Sequence, residues 1–296
     1  MIQTLTHETP VLVQGITGRM GRSHTRLMQA YGTRIVGGVS AQPDKAGVDG
    51  VHVFGDCRSA VAATGAAVSI VMLPPFQVRQ AVDDALSAGI RLIVTIAEGV
   101  PLHDAMHIGR MARAANALWV GPSTPGIAVP GEMKLGFLPD VALRPGPFAI
   151  MSKSGTLSYE VGYRLVRADL GQSLWVGVGG DPVKGLRFAD LVDPFFSHAQ
   201  TEALILIGEV GGNEEEEFAD SIARHGLKKP VYAIIAGKEA KEGISMGHAG
   251  ALTYGDVGSF ASKVRRLQNA GVYVFETIEG LVNACVRDFA SAPTRT

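Results

Sequence analysis

"VLVQGITGRMGRSHTRLM", residues 11–28, joins a short apolar run to a helix-length segment of mixed polarity through a turn that contains Gly15, Gly18 and Gly21. This order predicts a strand, a glycine-rich turn and a helix, the unit from which doubly wound α/β sheets are built. Such a turn brings backbone N–H groups to the start of the helix, where phosphates bind. The glycines would also suit tight packing of the helix on the strand. At this point, both phosphate binding and a purely structural role therefore explain the turn.

The same pattern of apolar run, turn and helix-length segment recurs along the chain, and most of the apolar runs end in glycine or proline. Continuously apolar runs predict parallel strands that are covered on both faces. The runs span residues 11–15, 34–40, 67–74, 91–99 and 117–121, and then residues 148–155, 173–182, 202–212, 231–237 and 272–276. Residues 121–147, rich in proline and glycine, separate the two groups. We therefore predict two α/β domains, residues 1–130 and 148–296, joined by a linker at residues 131–147.

The composition predicts a compact globular protein whose ligands are neither nucleic acids nor membranes. Of the 296 residues, 46% are hydrophobic and 19% are charged, and the formal net charge is −1. This balance gives no basic field for nucleic acid or an anionic membrane, and no apolar run approaches the roughly 18 residues that span a bilayer. Cys57 and Cys285 lie far apart, and the first ten residues show no apolar signal core. These features predict a cytoplasmic protein.

A nicotinamide dinucleotide is one candidate ligand for the first glycine turn. Its usual fingerprint is G-x-G-x-x-G, whereas this turn reads G-x-x-G-x-x-G. A carboxylate at the end of the second strand usually holds the ribose, but that strand ends "IVGGVS", residues 35–40. The missing carboxylate argues against an NAD(P)-dependent reductase.

A second anion site is predicted at "IMSKSGTLSYE", residues 150–160, where a buried strand runs into Ser154, Gly155 and Thr156 and then into a helix. N–H groups at the helix start, together with the helix dipole, would hold a phosphoryl group without any net basic charge. Ordinary N-capping by Ser154 or Thr156 explains the same residues equally well.

Three further motifs carry ionisable side chains. Glu209 in "IGEVGG", residues 207–212, ends an apolar run, and a carboxylate so placed can orient an imidazole. The run "NEEEEFAD", residues 213–220, predicts a solvated helix start with no chemistry of its own. His103 and His107 share one helix face but have no evident third ligand, so no metal site is predicted.

His248 lies in "GISMGHAGALTYGDVGS", residues 243–259, a glycine-rich stretch with little to pack into a core. A ring nitrogen of histidine can attack a phosphoryl group, and flanking glycines would let the residue move between two partners. A surface histidine in an ordinary loop would have the same local sequence.

Seven motifs, in order, resemble those of the α subunit of succinyl-CoA synthetase and its relatives. They are "GGV" (37–39), "TIAEGVP" (95–101), "GPSTPG" (121–126), "SKSGTLSYE" (152–160), "GVGGDP" (177–182), "IGEVGG" (207–212) and "MGHAGA" (246–251). The resemblance covers the chain from about Pro10 to the last helix. It implies a Rossmann-like CoA-binding domain, a flavodoxin-like ligase domain and a phosphohistidine at His248.

The resemblance also implies roles for single residues. Glu209 would steady His248, and Ser154, Gly155 and Thr156 would receive the phosphoryl group. The implied CoA contacts are Thr17, Gly18, Arg19, Met20, Gly21, Lys45, Leu73, Pro74, Ile96 and Glu98. An ATP-grasp β subunit would bind ATP or GTP with Mg²⁺, in a heterodimer or heterotetramer. The implied reaction, which in the family belongs to the tricarboxylic acid cycle, joins a small carboxylic acid to CoA through the phosphohistidine and an acyl phosphate.

The chain departs from the family's motifs at several positions. Ser123 and Thr124 replace the Asn and Cys of "GPNCPG", where acyl group and thiol should meet, and their hydroxyls would favour a polar acid. Lys45 is displaced by two positions from the family's lysine, while Ile244 and Ser245 stand where basic residues often precede "MGHAGA". "YGDVGS" replaces a "GGKGT"-like segment. These changes predict a paralogue that acts on a dicarboxylate such as malate or succinate. A non-catalytic CoA-binding protein and an NAD(P)-dependent reductase are the alternatives.

Overall fold

The structure, a computed structural model, describes residues 1–42, 47–240, 247–248, 250–253, 256 and 258–289. The chain divides into two compact units. Unit 1 comprises residues 1–138 and 177–186, and unit 2 comprises residues 139–176 and 187–296. The predicted linker, residues 131–147, contains a strand, a short 3-10 helix at Asp140–Ala142 and the start of another strand. Among the described residues, no helix is long and apolar enough to cross a membrane.

Unit 1 is built on a parallel sheet of six strands. Its strands are β1 (Val11–Gln14), β2 (Ile35–Val39), β3 (Val53–Phe54), β4 (Val68–Val71), β5 (Leu92–Thr95) and β6 (Leu118–Val120). Its helices are α1 (Arg19–Tyr31), α2 (Cys57–Thr64), α3 (Pro75–Ser87) and α4 (Leu102–Ala114). The order is β3-β2-β1-β4-β5-β6, and all neighbours are parallel. This is the strand order of a Rossmann fold, so the predicted fold class is confirmed for this unit.

An antiparallel hairpin of β7 (Gly126–Val129) and β8 (Met133–Gly136) follows the six strands. The sequence pattern did not predict it, because proline and glycine dominate residues 121–147. Gly126 and Gly136 face each other in the hairpin, and a Cβ on Gly126 would lie only 2.9 Å from the carbonyl carbon of Leu135. The glycines that resemble linker residues are therefore needed for close approach of two strands.

Unit 2 repeats the doubly wound plan. Its strands are β9 (Pro145–Ser152), β10 (Gln172–Gly177), β11 (Ala203–Glu209), β12 (Val231–Ala236) and β13 (Tyr273–Phe275). Its helices are α5 (Gly155–Arg167), α6 (Val192–Ser197), α7 (Glu214–His225), α8 (Phe260–Asn269) and α9 (Ile278–Phe289). The strands follow the order β13-β12-β11-β9-β10. Counted from β9 and read backwards, this is the flavodoxin-like order, which confirms the predicted class for this unit as well.

The strand order reverses once in each unit, and the reversal positions the sites described below. It lies between β1 and β4 in unit 1 and between β9 and β11 in unit 2. Ligands of such sheets bind beyond the carboxyl ends of the strands at this point. The glycine turn after β1 lies at the first reversal. The start of α5 and Glu209 lie at the second.

Helix α5 packs against strand β10 through a glycine. A Cβ on Gly162 would lie 2.4 Å from the ring of Trp175 and 2.9 Å from the carbonyl oxygen of Ala142. The Trp175 side chain is fully buried, so its ring has no room to move away. Gly162 is therefore required by packing rather than by backbone conformation.

We expect Gly162→Ala to destabilise the protein by about 1–3 kcal/mol, because the added methyl group overpacks a buried contact. Gly109→Ala in α4 is the matched control, since a Cβ there meets its nearest neighbours at 3.6 and 3.7 Å. Alanine should stabilise that helix by up to about 1 kcal/mol through helix propensity. Thermal unfolding followed by circular dichroism measures both changes. A Gly162→Ala protein as stable as the wild type would contradict the tight contact.

Candidate functional site

The imidazole of His248 is paired with the last residue of β11. Its Nδ1 lies 2.6 Å from Oε2 of Glu209. A carboxylate oxygen only accepts hydrogen bonds, so Nδ1 carries the proton and donates it, which places the ring's lone pair on Nε2. The His248 side chain is 28% exposed and the Glu209 side chain 10% exposed. The carboxylate thus holds a partly accessible imidazole in an arrangement that is able to support nucleophilic chemistry at Nε2.

Gly211 lets the segment that carries His248 approach the end of β11. Its φ is 89°, and a Cβ there would lie 2.4 Å from the carbonyl oxygen of Gly250 and 2.5 Å from the backbone nitrogen of Leu252. The Gly211 N–H donates to the carbonyl oxygen of Gly258 at 2.8 Å. Any side chain at this position would push the histidine segment away from the strand.

Two lysines and three carboxylates form a buried network at the start of α7. Nζ of Lys153, the first residue after β9, lies 3.0 Å from Glu215 and 3.2 Å from Glu214. Nζ of Lys263, in α8, contacts Glu215 closely and lies 3.0 Å from Glu216. The side chains of Glu215 and Lys263 are 0% exposed. Each buried charge therefore has a partner of opposite sign.

Charge pairing outweighs burial in this network. Burial acts to raise the pKa of Glu215, but the ammonium groups of Lys153 and Lys263 lower that pKa to about 2. Burial likewise acts to lower the pKa of Lys153, and the carboxylates of Glu215, Glu214 and Glu209 raise it above its ordinary value. Glu215 and Lys153 are therefore both ionised at neutral pH.

The acidic run at the start of α7 is not the solvated surface that the sequence predicts. The helix begins at Glu214, and the half-exposed Glu217 pairs with Arg187 at 2.9 Å. Glu214 and Glu215 are buried, however, so the prediction is wrong for these two residues. The reason is tertiary, since lysines from two other elements reach them. A lysine directly after the buried strand β9 was the available signal.

The start of α5 combines a cap with backbone donors that the helix itself does not pair. Oγ of Ser154 accepts a hydrogen bond from the N–H of Leu157 at 3.3 Å, so Ser154 is the N-cap residue. The N–H groups of Gly155 and Thr156 belong to the first turn, where backbone donors have no partner within the helix. Strand β9 pairs in parallel with β11, so this helix start follows the neighbour of the strand that ends in Glu209.

Unit 1 has a pocket of about 820 Å³ at the carboxyl ends of β1, β2 and β4. Thr17, Gly18 and Leu73, three of the predicted CoA contacts, line it. Oγ1 of Thr17 lies 2.9 Å from Oγ of Ser40, which ends the β2 segment where a dinucleotide site would have its ribose-binding carboxylate. The pocket therefore suits a ligand with phosphates near the glycine turn and no ribose bound at β2.

Six of the remaining predicted CoA contacts are not among the described residues that line this pocket. In the described part of the chain, the pocket lining does not include Arg19, Met20, Gly21, Pro74, Ile96 or Glu98. Gly21 has a packing role, because a Cβ there would lie 2.2 Å from the carbonyl oxygen of Gly15. Lys45 lies outside the described residues, as do Ile244 and Ser245.

Sequence reasoning missed several residues that line this pocket. Phe76, in the first turn of α3, is 80% exposed at the pocket. Asp56 and Asp84 also line it, and their carboxylates accept the N–H groups of Ser59 and Cys57 at 2.8 and 2.9 Å. An aromatic residue directly after "LPP" at a helix start was the available signal for Phe76. Nothing in the local sequence distinguishes Asp84 from a surface helix residue.

Comparisons with known proteins identify a family for each half of the chain. Residues 6–99 match the CoA binding domain family and residues 151–273 match the CoA-ligase family. The subunit alpha of an ADP-forming succinate–CoA ligase from Aquifex aeolicus is 44% identical over 273 residues, which are 91% of this chain and 88% of that protein. The chain belongs to the succinate–CoA ligase alpha-subunit family. It is the alpha subunit of an acid–CoA ligase, and the predicted family and CoA ligand are confirmed.

Other relatives extend this picture. A subunit of an ADP-forming sulfoacetate–CoA ligase from Acholeplasma is 39% identical to this ligase subunit over 270 residues, 90% of this chain and 91% of that protein. The structure of an ATP citrate lyase from Methanosaeta concilii with citryl-CoA superposes with a TM-score of 0.84 at 21% identity. It aligns with 99% of this chain, which spans about half (51%) of that protein, and it supports the fold alone. Neither a non-catalytic CoA-binding protein nor a reductase gains support from these relatives.

Two residues at which this ligase subunit departs from the family's motif have different environments. Oγ1 of Thr124 donates to the carbonyl oxygen of Gly177 at 2.6 Å and accepts from the N–H of Gly126 at 2.9 Å. This buried hydroxyl is engaged within unit 1 and is not the donor to an acid that the sequence suggested. Ser123 is partly exposed and has a φ of 55°, a left-handed conformation that the family's Asn also tolerates.

Other candidate groups of the ligase subunit have structural partners. Nε2 of His107 lies 3.0 Å from Oδ1 of Asp83, and no cluster of three or more metal-ligating side chains occurs among the residues described. Cys57 and Cys285 are free and buried. Burial raises the pKa of both thiols, that of Cys285 to about 12.

We expect Glu215→Gln to lower the free energy of unfolding of this ligase subunit by about 3–5 kcal/mol at neutral pH, because two buried ammonium groups lose their shared carboxylate. The folded-state pKa of Glu215 is depressed from 4.5 to about 2. Its stabilisation is therefore fully present above the unfolded value and is lost as pH falls from there toward 2. The difference between wild type and variant should shrink across that window.

Urea unfolding at neutral pH and at about pH 3 measures this difference. Glu217→Gln is the matched control in the same helix, and its loss of a half-exposed ion pair should cost less than about 1 kcal/mol. An equal loss in both variants, or a loss independent of pH, would contradict the buried network.

Proposed function

We propose that His248 is the phosphohistidine of this ligase and carries a phosphoryl group from a nucleoside triphosphate to a small carboxylic acid. The observation that carries the proposal is the 2.6 Å contact between His248 Nδ1 and Glu209. This contact directs the proton to Nδ1 and the lone pair to Nε2, the atom that would attack phosphorus. Glu209 would also stabilise the positive charge that the ring acquires during transfer.

The proposed reaction consists of three transfers. Nε2 attacks the γ-phosphorus, an N–P bond forms, the bond to the bridging oxygen breaks, and the nucleoside diphosphate leaves. A carboxylate oxygen of the acid then attacks phosphorus, and the N–P bond breaks to give an acyl phosphate. The CoA thiol loses its proton to solvent, its sulfur attacks the acyl carbon, and inorganic phosphate leaves. Acyl phosphate formation activates a carboxylate that would otherwise resist attack.

The start of α5 is the proposed resting place of the phosphoryl group. Backbone N–H groups of Gly155 and Thr156 and the positive end of the helix dipole would stabilise its oxygens. Ser154 caps the helix through Oγ and fixes its first turn. The capping and phosphate-binding interpretations are thus compatible, because they use different donors.

CoA would occupy the pocket of unit 1, with its diphosphate at the glycine turn. Thr17, Gly18 and Leu73 line that pocket and are the contacts that the geometry supports best. The other predicted contacts stay proposals that follow from the family resemblance: Arg19, Met20, Gly21, Lys45, Pro74, Ile96 and Glu98.

A partner subunit would supply the nucleotide site. The chain has no Walker-A loop and no segment that resembles an ATP-grasp site, so we propose an ATP-grasp β subunit in a heterodimer or heterotetramer. That subunit would bind ATP or GTP, with Mg²⁺ neutralising the phosphate charge. The name of the Aquifex relative, an ADP-forming ligase, favours ATP. Two buried free thiols fit a reducing compartment, and we propose the cytoplasm.

We expect His248→Asn to abolish phosphorylation of the ligase. The complex with its partner, incubated with γ-labelled ATP or GTP and Mg²⁺, should acquire an acid-labile, alkali-stable label in the wild type only. Without the partner, the chain should bind CoA and take up no label. Because the His248 side chain is polar and 28% exposed, its replacement removes little apolar area from the core, and the variant should keep most of its thermal stability and its CoA affinity. Label that persists in His248→Asn would exclude this residue as the carrier.

We also expect Ser123→Asn to shift the preference of the enzyme from malate toward succinate. The exchange restores the family's residue in a conformation that Asn tolerates and removes a hydroxyl, which changes the kcat/KM ratio for the two acids by about tenfold. Thr124→Val is the matched control, since it breaks only internal hydrogen bonds and should lower stability by about 1–3 kcal/mol without changing the order of acids. A hydroxamate assay with an acid panel tests both. An unchanged ratio in Ser123→Asn would show that this position does not select the acid.

A further inference from the structure

The carboxylate of Glu215 contacts three elements that frame His248. Lys153 reaches it from the residue before the α5 cap, and Lys263 reaches it from α8. Oε1 of Glu215 also accepts the backbone N–H of Glu209 at 3.1 Å. One buried side chain therefore connects the proposed phosphate-binding helix, the helix that follows the histidine segment, and the residue that orients the imidazole.

Lys263 adds a second connection to the same strand end. Its Nζ donates to the carbonyl oxygen of Gly212 at 3.1 Å. Glu209 and Gly212 lie at the two ends of a turn that contains Gly211. The histidine segment packs against this turn at Gly211. The network thus holds this turn at both ends, by an N–H on one side and by a carbonyl oxygen on the other.

A glycine in β11 makes room for the contact between Glu215 and Glu209. A Cβ on Gly208 would lie 2.6 Å from Oε1 and 2.8 Å from Cγ of Glu215. The Glu215 carboxylate cannot easily retreat, because both of its oxygens are already held by buried lysines. The absence of a side chain at position 208 is therefore a condition for the hydrogen bond to the Glu209 N–H.

Stability alone is a poor explanation for this network. Buried ion pairs often contribute no more than apolar packing of the same volume, because desolvation offsets most of their attraction. Such pairs do constrain geometry, since each charged hydrogen bond fixes the angle and distance of its partner. Here the constrained group is the backbone N–H of Glu209, whose side chain contacts Nδ1 of His248.

We propose that Glu215, held by Lys153 and Lys263, is a positioning residue that sets the Glu209 carboxylate against His248 and so determines which ring nitrogen is protonated. The expected effect on phosphoryl transfer rests on the proposed function. The tautomer of the His248 ring, in contrast, is a property of this chain alone. Nε2 of His248 is a competent nucleophile only while Nδ1 carries the proton.

Two variants disturb the network without deleting a charge. Gly208→Ala displaces the Glu215 carboxylate from the Glu209 N–H, and Glu215→Asp shortens the side chain by one methylene group. Gly109→Ala and Glu217→Asp are the matched controls, one an open helical glycine and the other a half-exposed carboxylate in α7. Far-ultraviolet circular dichroism and thermal unfolding identify any variant that has lost its fold.

The first measurement is the nitrogen-15 spectrum of the imidazoles in the isolated chain, with His248 assigned by comparison with His248→Asn. We expect wild type and controls to show His248 protonated on Nδ1, and Gly208→Ala and Glu215→Asp to show a mixture of tautomers. The second is the single-turnover rate of phosphorylation by γ-labelled ATP in the complex with the partner. That rate should fall by about tenfold or more in the two test variants, with the CoA KM unchanged within about twofold.

The outcomes separate this proposal from the proposed function. Folded test variants with a wild-type His248 tautomer would overturn the positioning role and leave the phosphohistidine intact. Loss of the fold in both test variants would overturn it in favour of a purely structural role. A wild-type complex that takes up no label, with the tautomer shift present, would refute the proposed function while the positioning role stands.

Discussion

The carboxylate of Glu215, shared between the buried ammonium groups of Lys153 and Lys263, is the contact on which the histidine site depends. Each lysine comes from a different element, so the contact exists only when β9, α7 and α8 are all in place. The attraction of the two ammonium groups overcomes the burial of the carboxylate and keeps it charged. Its remaining hydrogen bond fixes the N–H of Glu209. The local packing of β9, α7 and α8 and the proposed orientation of the imidazole therefore share one set of charges.

The second constraint is steric. In both units, glycine residues leave room for contacts that a side chain would block. Gly21 allows α1 to lie against the first turn, and Gly15 leaves room for Met72 and Leu73 after β4. Gly211 likewise lets the histidine segment approach the end of β11. Gly208 differs, because the room it leaves is filled by a charged side chain rather than by backbone. A high glycine content in this ligase subunit thus reflects close approaches at the two points where strand order reverses.

The fold and the pairing of His248 with Glu209 could be predicted from the sequence, and the contacts that support this pair could not. Ten apolar runs mark strands because parallel strands covered on both faces are apolar throughout. Strand β3 has only two residues and leaves no such signal. His248 and Glu209 stand out by their glycine neighbours. The burial of Glu214 and Glu215, in contrast, depends on Lys153 and Lys263, which lie 62 and 48 residues from Glu215 in the chain. The inward hydroxyl of Thr124 likewise depends on Gly177, which no local pattern reveals.

The placement of the cysteines decides how this enzyme responds to thiol reagents. The "GPNCPG" motif that residues 121–126 resemble carries a cysteine, whereas this chain has Thr124 at that position and keeps both of its thiols buried with raised pKa values. Alkylating agents and peroxides react with the thiolate, the form that burial suppresses. Modification of this subunit's cysteines should therefore contribute little to inhibition by such reagents, which would first meet the thiol of free CoA. Fresh CoA would then restore the part of the activity that was lost through the thiol substrate.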